Sequence, residues 1–165
     1  MWTDLEILIA RRFIGNVSAE EIVDWALEAL NKDIDSVNIR TLAALKYTKP
    51  IDRVEVDYYF QKCIKDLGYF IPSEEESLMR YVEIYCHKII NQAVTPKRGL
   101  DEIYKVILYA RYPQELKAFL YVSDGLHPYN FSDLADEDLV FHIVQESTNF
   151  ITRRKAALNT TDKSA

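Results

Sequence analysis

The feature of this sequence that most constrains its fold is a series of helix-start signals, each followed by apolar residues at helical spacing. Ser18 with Glu21, and Ser73 with Glu76, have the spacing of a capping box, in which each side chain accepts a backbone N–H of the other residue. Gly15 follows the first apolar run and is placed to end a helix in the left-handed conformation. These signals predict a chain of short helices.

The same signals set the expected bounds of each helix. Thr3 is expected to cap a first helix that ends at Phe13, and Asp35 or Ser36 to cap a third. The remaining expected bounds are a fourth helix from Asp52 to Gly68, a fifth from Ser73 to about Val94, a turn over 95–99, a sixth helix from about Leu100 to Arg111, a seventh from Pro113 to Gly125, and a last from Asp133 or Asp136 to Ala157.

No segment alternates apolar and polar residues as a strand would, and only 4 glycines and 5 prolines supply turns. The connections are a few residues long, which favours antiparallel packing of neighbouring helices. We therefore expect an all-α fold, a single compact irregular bundle of about seven to eight helices with mostly antiparallel neighbours. We expect one helical domain over residues 1–158 and a flexible C-terminal tail over 159–165.

The net charge of −6 disfavours binding to nucleic acid or to anionic membranes and suits a basic protein partner. The first residues lack the basic and apolar regions of a signal peptide, and no apolar run approaches the ~20 residues that a membrane span needs. The expected location is the cytoplasm.

The local motifs of common catalytic sites do not occur in this sequence. Glycine-rich phosphate loops, the G-x-S-x-G nucleophile turn, the H-E-x-x-H zinc helix and paired C-x-x-C motifs are all absent. We expect no catalytic residue, no metal and no cofactor. Cys63 and Cys86 stand among apolar residues, which predicts two buried reduced thiols, although sequence alone leaves a disulfide open.

Two histidines have a carboxylate one helical turn away, at Glu83 with His87 and at Asp138 with His142. Residues four apart share a helix face, so each pair has two candidate metal ligands. Di-iron bundles use a spacing of three instead, and a surface charge pair is the simpler interpretation. A helical metal-dependent enzyme is kept as an alternative.

The charges are unevenly distributed, because no lysine or arginine occurs between Lys117 and Arg153. Six acids and six aromatic residues share that stretch. Rings beside unpaired carboxylates suit recognition of a basic partner, since rings anchor and charges steer. The simpler alternative is an acidic first helical turn with the aromatic residues in the core. The candidate partner-binding residues are Tyr121, Asp124, Tyr129, Phe131, Asp133, Asp136, Glu137 and Asp138.

Several strings give the chain a resemblance to a class of bacterial proteins. They are residues 18–26 (SAEEIVDWA), 42–45 (LAAL), 66–69 (DLGY), 72–75 (PSEE) and 95–99 (TPKRG). The chain resembles small acidic all-helical immunity proteins of polymorphic or contact-dependent toxin systems over roughly residues 18–124. The resemblance implies a protein that covers a toxin domain, and it carries over no functional residue.

The sequence thus predicts a non-catalytic protein-binding module of bacterial origin. Its most concrete form is an immunity protein that neutralises a cognate toxin by occluding the toxin's site with an acidic and aromatic surface. A self-associating structural helical protein is a further alternative, and the sequence leaves the oligomeric state open.

Overall fold

The computed structural model describes the backbone of residues 2–124 and 136–161 and the side chains of residues 3–122 and 137–157. The described ranges are predominantly helical, with eight α-helices and no strand. The prediction of an all-α fold is confirmed. The helices are α1 Trp2–Phe13, α2 Ala19–Asn31, α3 Val37–Ala44, α4 Arg53–Asp66, α5 Glu74–Ile90, α6 Pro96–Tyr109, α7 Lys117–Asp124 and α8 Asp136–Thr161, with short 3-10 helices at Leu45–Tyr47 and Gln114–Leu116.

The chain divides into two compact units, residues 1–77 and 78–165. A single domain can contain two compact units, so this division does not test the predicted domain over residues 1–158. That domain stays a prediction. The expected tail begins inside α8, which continues to Thr161. Residues 162–165 lie outside the described part of the chain. None of the helices in the described ranges is both long enough and apolar enough to cross a membrane.

Most of the predicted capping signals, although not Thr3, act as the sequence predicts. The Ser18 hydroxyl accepts the backbone N–H of Glu21, and the Glu21 carboxylate accepts that of Ser18, which completes the capping box of α2. The Ser36 hydroxyl accepts the backbone N–H of Ile39 at the start of α3, and the Asp52 carboxylate accepts that of Val54 at the start of α4. Gly15 ends the turn after α1 with a φ of +74°. Each of these capping bonds joins residues no more than three apart in the sequence, so the local sequence alone is enough to predict it.

Several predicted helix bounds are wrong, among them the start of α7, which is Lys117 and not Pro113. Helix α1 begins at Trp2, so Thr3 already lies inside it. Helix α5 ends at Ile90 and not near Val94, because Gln92 takes a positive φ of 57°. This position is usually glycine, and its absence hides the helix end in the sequence. Helix α6 begins at Pro96 and not at Leu100, so the predicted turn over 95–99 contains the helix cap and the first helical turn.

The first unit is built around α2, α3 and α4, and its core is centred on two aromatic rings. Trp25 meets Phe60 edge to face, with ring centroids 5.4 Å apart. The Arg12 guanidinium lies 4.9 Å from the centroid of the Phe60 ring and forms a 2.6 Å ion pair with Asp57. Arg12 therefore joins α1 to α4 through both a cation–π contact and a salt bridge.

The second unit is formed by α6, α7, α8 and the part of α5 from Leu78 onward. Phe119 of α7 and Phe150 of α8 are both buried, with ring centroids 5.9 Å apart. On α8 the Ser147 hydroxyl is fully buried and donates to the carbonyl of Ile143, four residues earlier on the same helix. This packing positions α7 beside α8 and sets the geometry of the candidate site.

Candidate functional site

The structure describes some of the sequence-predicted site residues and not others. Tyr121 lies on α7, and Asp124 is the last residue of that helix, described by its backbone only. Asp136 is the first residue of α8 and is likewise described by its backbone only. Tyr129, Phe131 and Asp133 lie outside the described residues. The structure therefore leaves the contiguity of the whole acidic stretch as a prediction.

Glu137 and Asp138 lie in the first turn of α8, and both are exposed. Phe141 lies one turn further along the helix and its side chain is 62 % exposed. Residues three and four apart occupy one helix face, so the ring and both carboxylates form a common surface. We call Glu137, Asp138 and Phe141 the acidic face. Among the described residues, neither carboxylate of this face forms an ion pair.

Not all carboxylates of the acidic stretch lack an ion-pair partner, which corrects the expectation that they are unpaired. Glu146 is only 12 % exposed and forms a 2.5 Å ion pair with Arg153 on the same helix. The two residues are seven apart, which is two helical turns, so the pairing places both on one side of α8. This spacing is visible in the sequence and would have revealed the pair. Glu146 is therefore committed to a contact within the unit.

The aromatic residues of the stretch also divide between surface and core. Phe150 is buried against Phe119, as the simpler interpretation of the sequence expects. Tyr121 is half-buried, and the Lys117 ammonium lies 5.5 Å from the centroid of its ring. Among the described aromatic residues of the stretch, Phe141 is left as the exposed ring.

A groove between α7 and α8 was not predicted from the sequence. Its volume is about 630 Å³, and its apolar wall is formed by Ala118, Tyr121, Phe150 and Ala157. The two alanines project only a methyl group where the helices face each other, which leaves the space unfilled. The wall residues of α7 and α8 are well separated along the chain. The short connections favour packing of these neighbouring helices, but no local pattern indicates a groove between them.

The rim of this groove is charged. Lys117, Arg153, Arg154 and Glu115 line it. Arg153 is paired with Glu146, and the Nε atom of Arg154 lies 3.7 Å from a carboxylate oxygen of Glu83. Lys117 is exposed and forms no ion pair within the described part of the chain.

The carboxylate and histidine pairs that the sequence offers as alternative metal ligands lie on α5 and in the first two turns of α8. Glu83 lies close to Arg154, and His87 is exposed. Asp138 belongs to the exposed first turn of α8. The described residues contain no group of three or more metal-ligating side chains. The alternative of a metal-dependent enzyme stays a prediction.

Cys63 and Cys86 are both buried and free, so the prediction of burial is confirmed. Burial raises the pKa of the Cys63 thiol to about 12, with a smaller contribution from the nearby Asp66. Burial also raises the pKa of Cys86 to about 12. A thiol that holds its proton so firmly is a poor nucleophile at neutral pH. His87, the sequence neighbour of Cys86, points to solvent, so the pair forms no thiolate dyad.

Comparison of the chain with protein-family models, curated proteins and solved structures gives no match. The resemblance to immunity proteins therefore stays a prediction, and the functional argument depends on the surfaces described above.

Proposed function

We propose that this chain is a non-catalytic protein-binding module whose acidic face binds a basic partner. The observation that carries the proposal is the exposed Phe141 ring one helical turn from the exposed carboxylates of Glu137 and Asp138. Such a ring removes apolar area from water when a partner covers it, and the carboxylates select a partner with complementary charge. The most concrete form of the function is an immunity protein that occludes the site of a bacterial toxin.

Two properties of the acidic face support this proposal. The carboxylates form no ion pair with described residues, so binding a cation does not require an internal pair to break. They also lie at the N-terminus of a helix, where the dipole already stabilises them. The helix dipole alone would explain why acidic residues occupy this helical turn. It does not explain why an exposed phenylalanine lies beside them.

The direct test is capture of a partner from a lysate of the source cells, with three immobilised forms of the protein compared at low and at high salt. The variant Glu137→Lys with Asp138→Lys reverses the charge of the acidic face. Its matched control is Glu74→Lys with Glu75→Lys, which makes the same change at two exposed residues in the first turn of α5. Both variants lose the same favourable helix-dipole interaction, so only the location of the charge differs.

We expect the wild-type and control proteins to capture one basic protein that high salt releases, and the Glu137/Asp138 variant to capture none. Phe141→Ala should weaken binding by roughly tenfold or more, as for an anchor residue, while Phe70→Ala, at a ring that is 86 % exposed in the first unit, should not. Equal capture by all three immobilised forms would contradict the proposal.

The proposal that the chain is an immunity protein needs a second measurement. The captured protein is expressed alone and together with this chain, and growth of the host cells is measured. An immunity protein restores growth, and its Glu137/Asp138 variant does not. If the partner binds but leaves growth unaffected when expressed alone, the binding module stands and the immunity assignment fails.

A further inference from the structure

We propose that the groove between α7 and α8 is a binding site for a small monocarboxylate with an apolar body. Its volume of about 630 Å³ lies within the range of roughly 300–1,000 Å³ that is usual for small-molecule sites. The site uses different residues from the acidic face and attracts the opposite charge. It therefore does not depend on the proposed function.

The apolar wall accounts for the body of the ligand. Ala118 and Ala157 expose only methyl groups to the groove, and Phe150 is held rigidly in place by its packing against Phe119. Tyr121 adds an aromatic ring on the α7 side. A preformed wall of this kind binds apolar groups without ordering flexible side chains, which keeps the entropic cost of binding low.

The charged rim accounts for the carboxylate. Lys117 forms no ion pair within the described part of the chain, and its ammonium lies over the Tyr121 ring at the edge of the groove. Arg153 is paired with Glu146, but a guanidinium has five N–H donors and retains some for a ligand. Lys117 is thus the natural partner of a ligand carboxylate, with Arg153 as a second donor.

The same charges limit the ligand to a single negative charge. Lys117, Arg153 and Arg154 are the cations of the groove. Glu115 lines it as well, and Glu146 and Glu83 lie against the two arginines. A phosphate ester or a dicarboxylate would bring its additional charge close to these carboxylates, whose repulsion would oppose binding. A monocarboxylate places its one charge at Lys117 and leaves the arginine pairs intact.

The test uses decanoate and 2-naphthoate as aliphatic and aromatic probes, with decyltrimethylammonium as a cation of similar apolar length. Binding to the full chain is measured by calorimetry below the micelle concentration of each probe. We expect saturable one-to-one binding of at least one carboxylate and no saturable binding of the cation. If neither carboxylate binds, or if the cation binds as tightly, the proposal is overturned.

Two matched pairs of variants locate the site. Ala157→Phe fills the groove from its open side, whereas Ala156→Phe makes the same change at the neighbouring exposed residue, which does not line the groove. We expect Ala157→Phe to abolish carboxylate binding and Ala156→Phe to leave it unchanged, with circular dichroism verifying that both variants are folded. Equal effects of the two variants would place the probe elsewhere and overturn the assignment.

The second pair tests the charge. Lys117→Gln should weaken carboxylate binding by roughly tenfold, because a charge-assisted hydrogen bond is lost. Lys155→Gln, at an exposed lysine outside the groove, should change nothing. An acidic amphipathic helical peptide is tested as a competitor. If it binds the groove more tightly than either carboxylate, the small-molecule assignment is replaced by a helix-docking groove.

Discussion

The hydroxyl of Tyr81 on α5 donates a 2.8 Å hydrogen bond to the Glu102 carboxylate on α6. The Tyr81 side chain is fully buried, and its ring lies 4.8 Å from that of Tyr85 between centroids. Lys105 forms an ion pair with the other oxygen of Glu102 at 2.8 Å. Burial, followed by the bond to Glu102, raises the pKa of Tyr81, so the hydroxyl stays a donor at every physiological pH.

Tyr81→Phe should therefore destabilise the second unit. A hydrogen bond to a charged group contributes about 1.5–3 kcal/mol, and we expect a loss in the free energy of unfolding near the lower end of that range. The measurement is urea denaturation. Tyr121→Phe is the matched control, because the contact of Tyr121 with Lys117 involves the ring and not the hydroxyl. A loss for Tyr81→Phe no larger than that for Tyr121→Phe would contradict the assigned bond.

Gly99→Ala should destabilise the chain although alanine is the better helix former. Gly99 is buried in the first turn of α6, and an added Cβ would lie 2.6 Å from Cδ1 of Ile89 and closer still to its Cγ1. Overpacking of this kind costs about 1–3 kcal/mol, which exceeds or offsets the roughly 1 kcal/mol gained in helix propensity.

A double-mutant cycle checks the cause of that destabilisation. Ile89→Ala removes the clashing atoms, so the double variant with Gly99→Ala should lose less stability than the sum of the two single variants. Gly15→Ala, at a glycine with a φ of +74° and no neighbour within 4 Å, is destabilised by backbone strain alone. Ile89→Ala should not relieve it. If the stability losses of Gly99→Ala and Ile89→Ala simply add in the double variant, their contact is not the cause of the destabilisation.

Glu21 should make the first unit sensitive to acid. Its hydrogen bond from Arg11, at 2.6 Å, and then the bond from the Ser18 backbone lower the pKa of its carboxyl below the ordinary 4.5. A lowered pKa in the folded state gives stability that is present above pH 4.5 and is lost as the pH falls through the folded value.

We therefore expect wild-type protein to lose more of its free energy of unfolding on acidification below pH 4.5 than Glu21→Gln loses. Glu20→Gln, at the exposed neighbouring residue, serves as the control and should follow the wild-type curve. Denaturation curves at a series of pH values measure the difference. Parallel curves for wild type and Glu21→Gln would rule out the effect.

The two buried thiols should limit stability in alkali. Burial raises the pKa of Cys63 and of Cys86 from 9.0 to about 12, so the unfolded chain releases these protons at a lower pH than the folded chain. The stability that they contribute is complete below pH 9.0 and falls as the pH rises toward 12.

The double variant Cys63→Ala with Cys86→Ala should show a shallower decline above pH 9.0 than wild type. Each thiol adds up to about 1.4 kcal/mol per pH unit to the slope, as an upper bound. Tyrosine and lysine titrations occur in both proteins and cancel in the comparison. Identical slopes would mean that the thiols ionise equally in the folded and unfolded chains.

What the sequence determined by itself was local. Ser18, Ser36 and Asp52 cap helices through bonds that span two or three residues, and Gly15 ends a helix because it alone tolerates the required φ at little cost. Signals of this range suffice to predict an all-α chain and most of its helices. They fail at Gln92, where a residue other than glycine takes a positive φ.

The remaining features were decided by tertiary structure. Gly99 resembles a turn residue in sequence but lies in α6, where its missing Cβ lets Ile89 approach. Phe141 and Phe150 belong to one aromatic set in the sequence, yet α8 exposes the first and buries the second against Phe119. The groove is lined by Ala118 and Ala157 from two different helices, and neither side chain is large enough to fill it. The physical reason is common to all three features, because packing depends on which distant side chains face each other, and that information is not contained in local spacing.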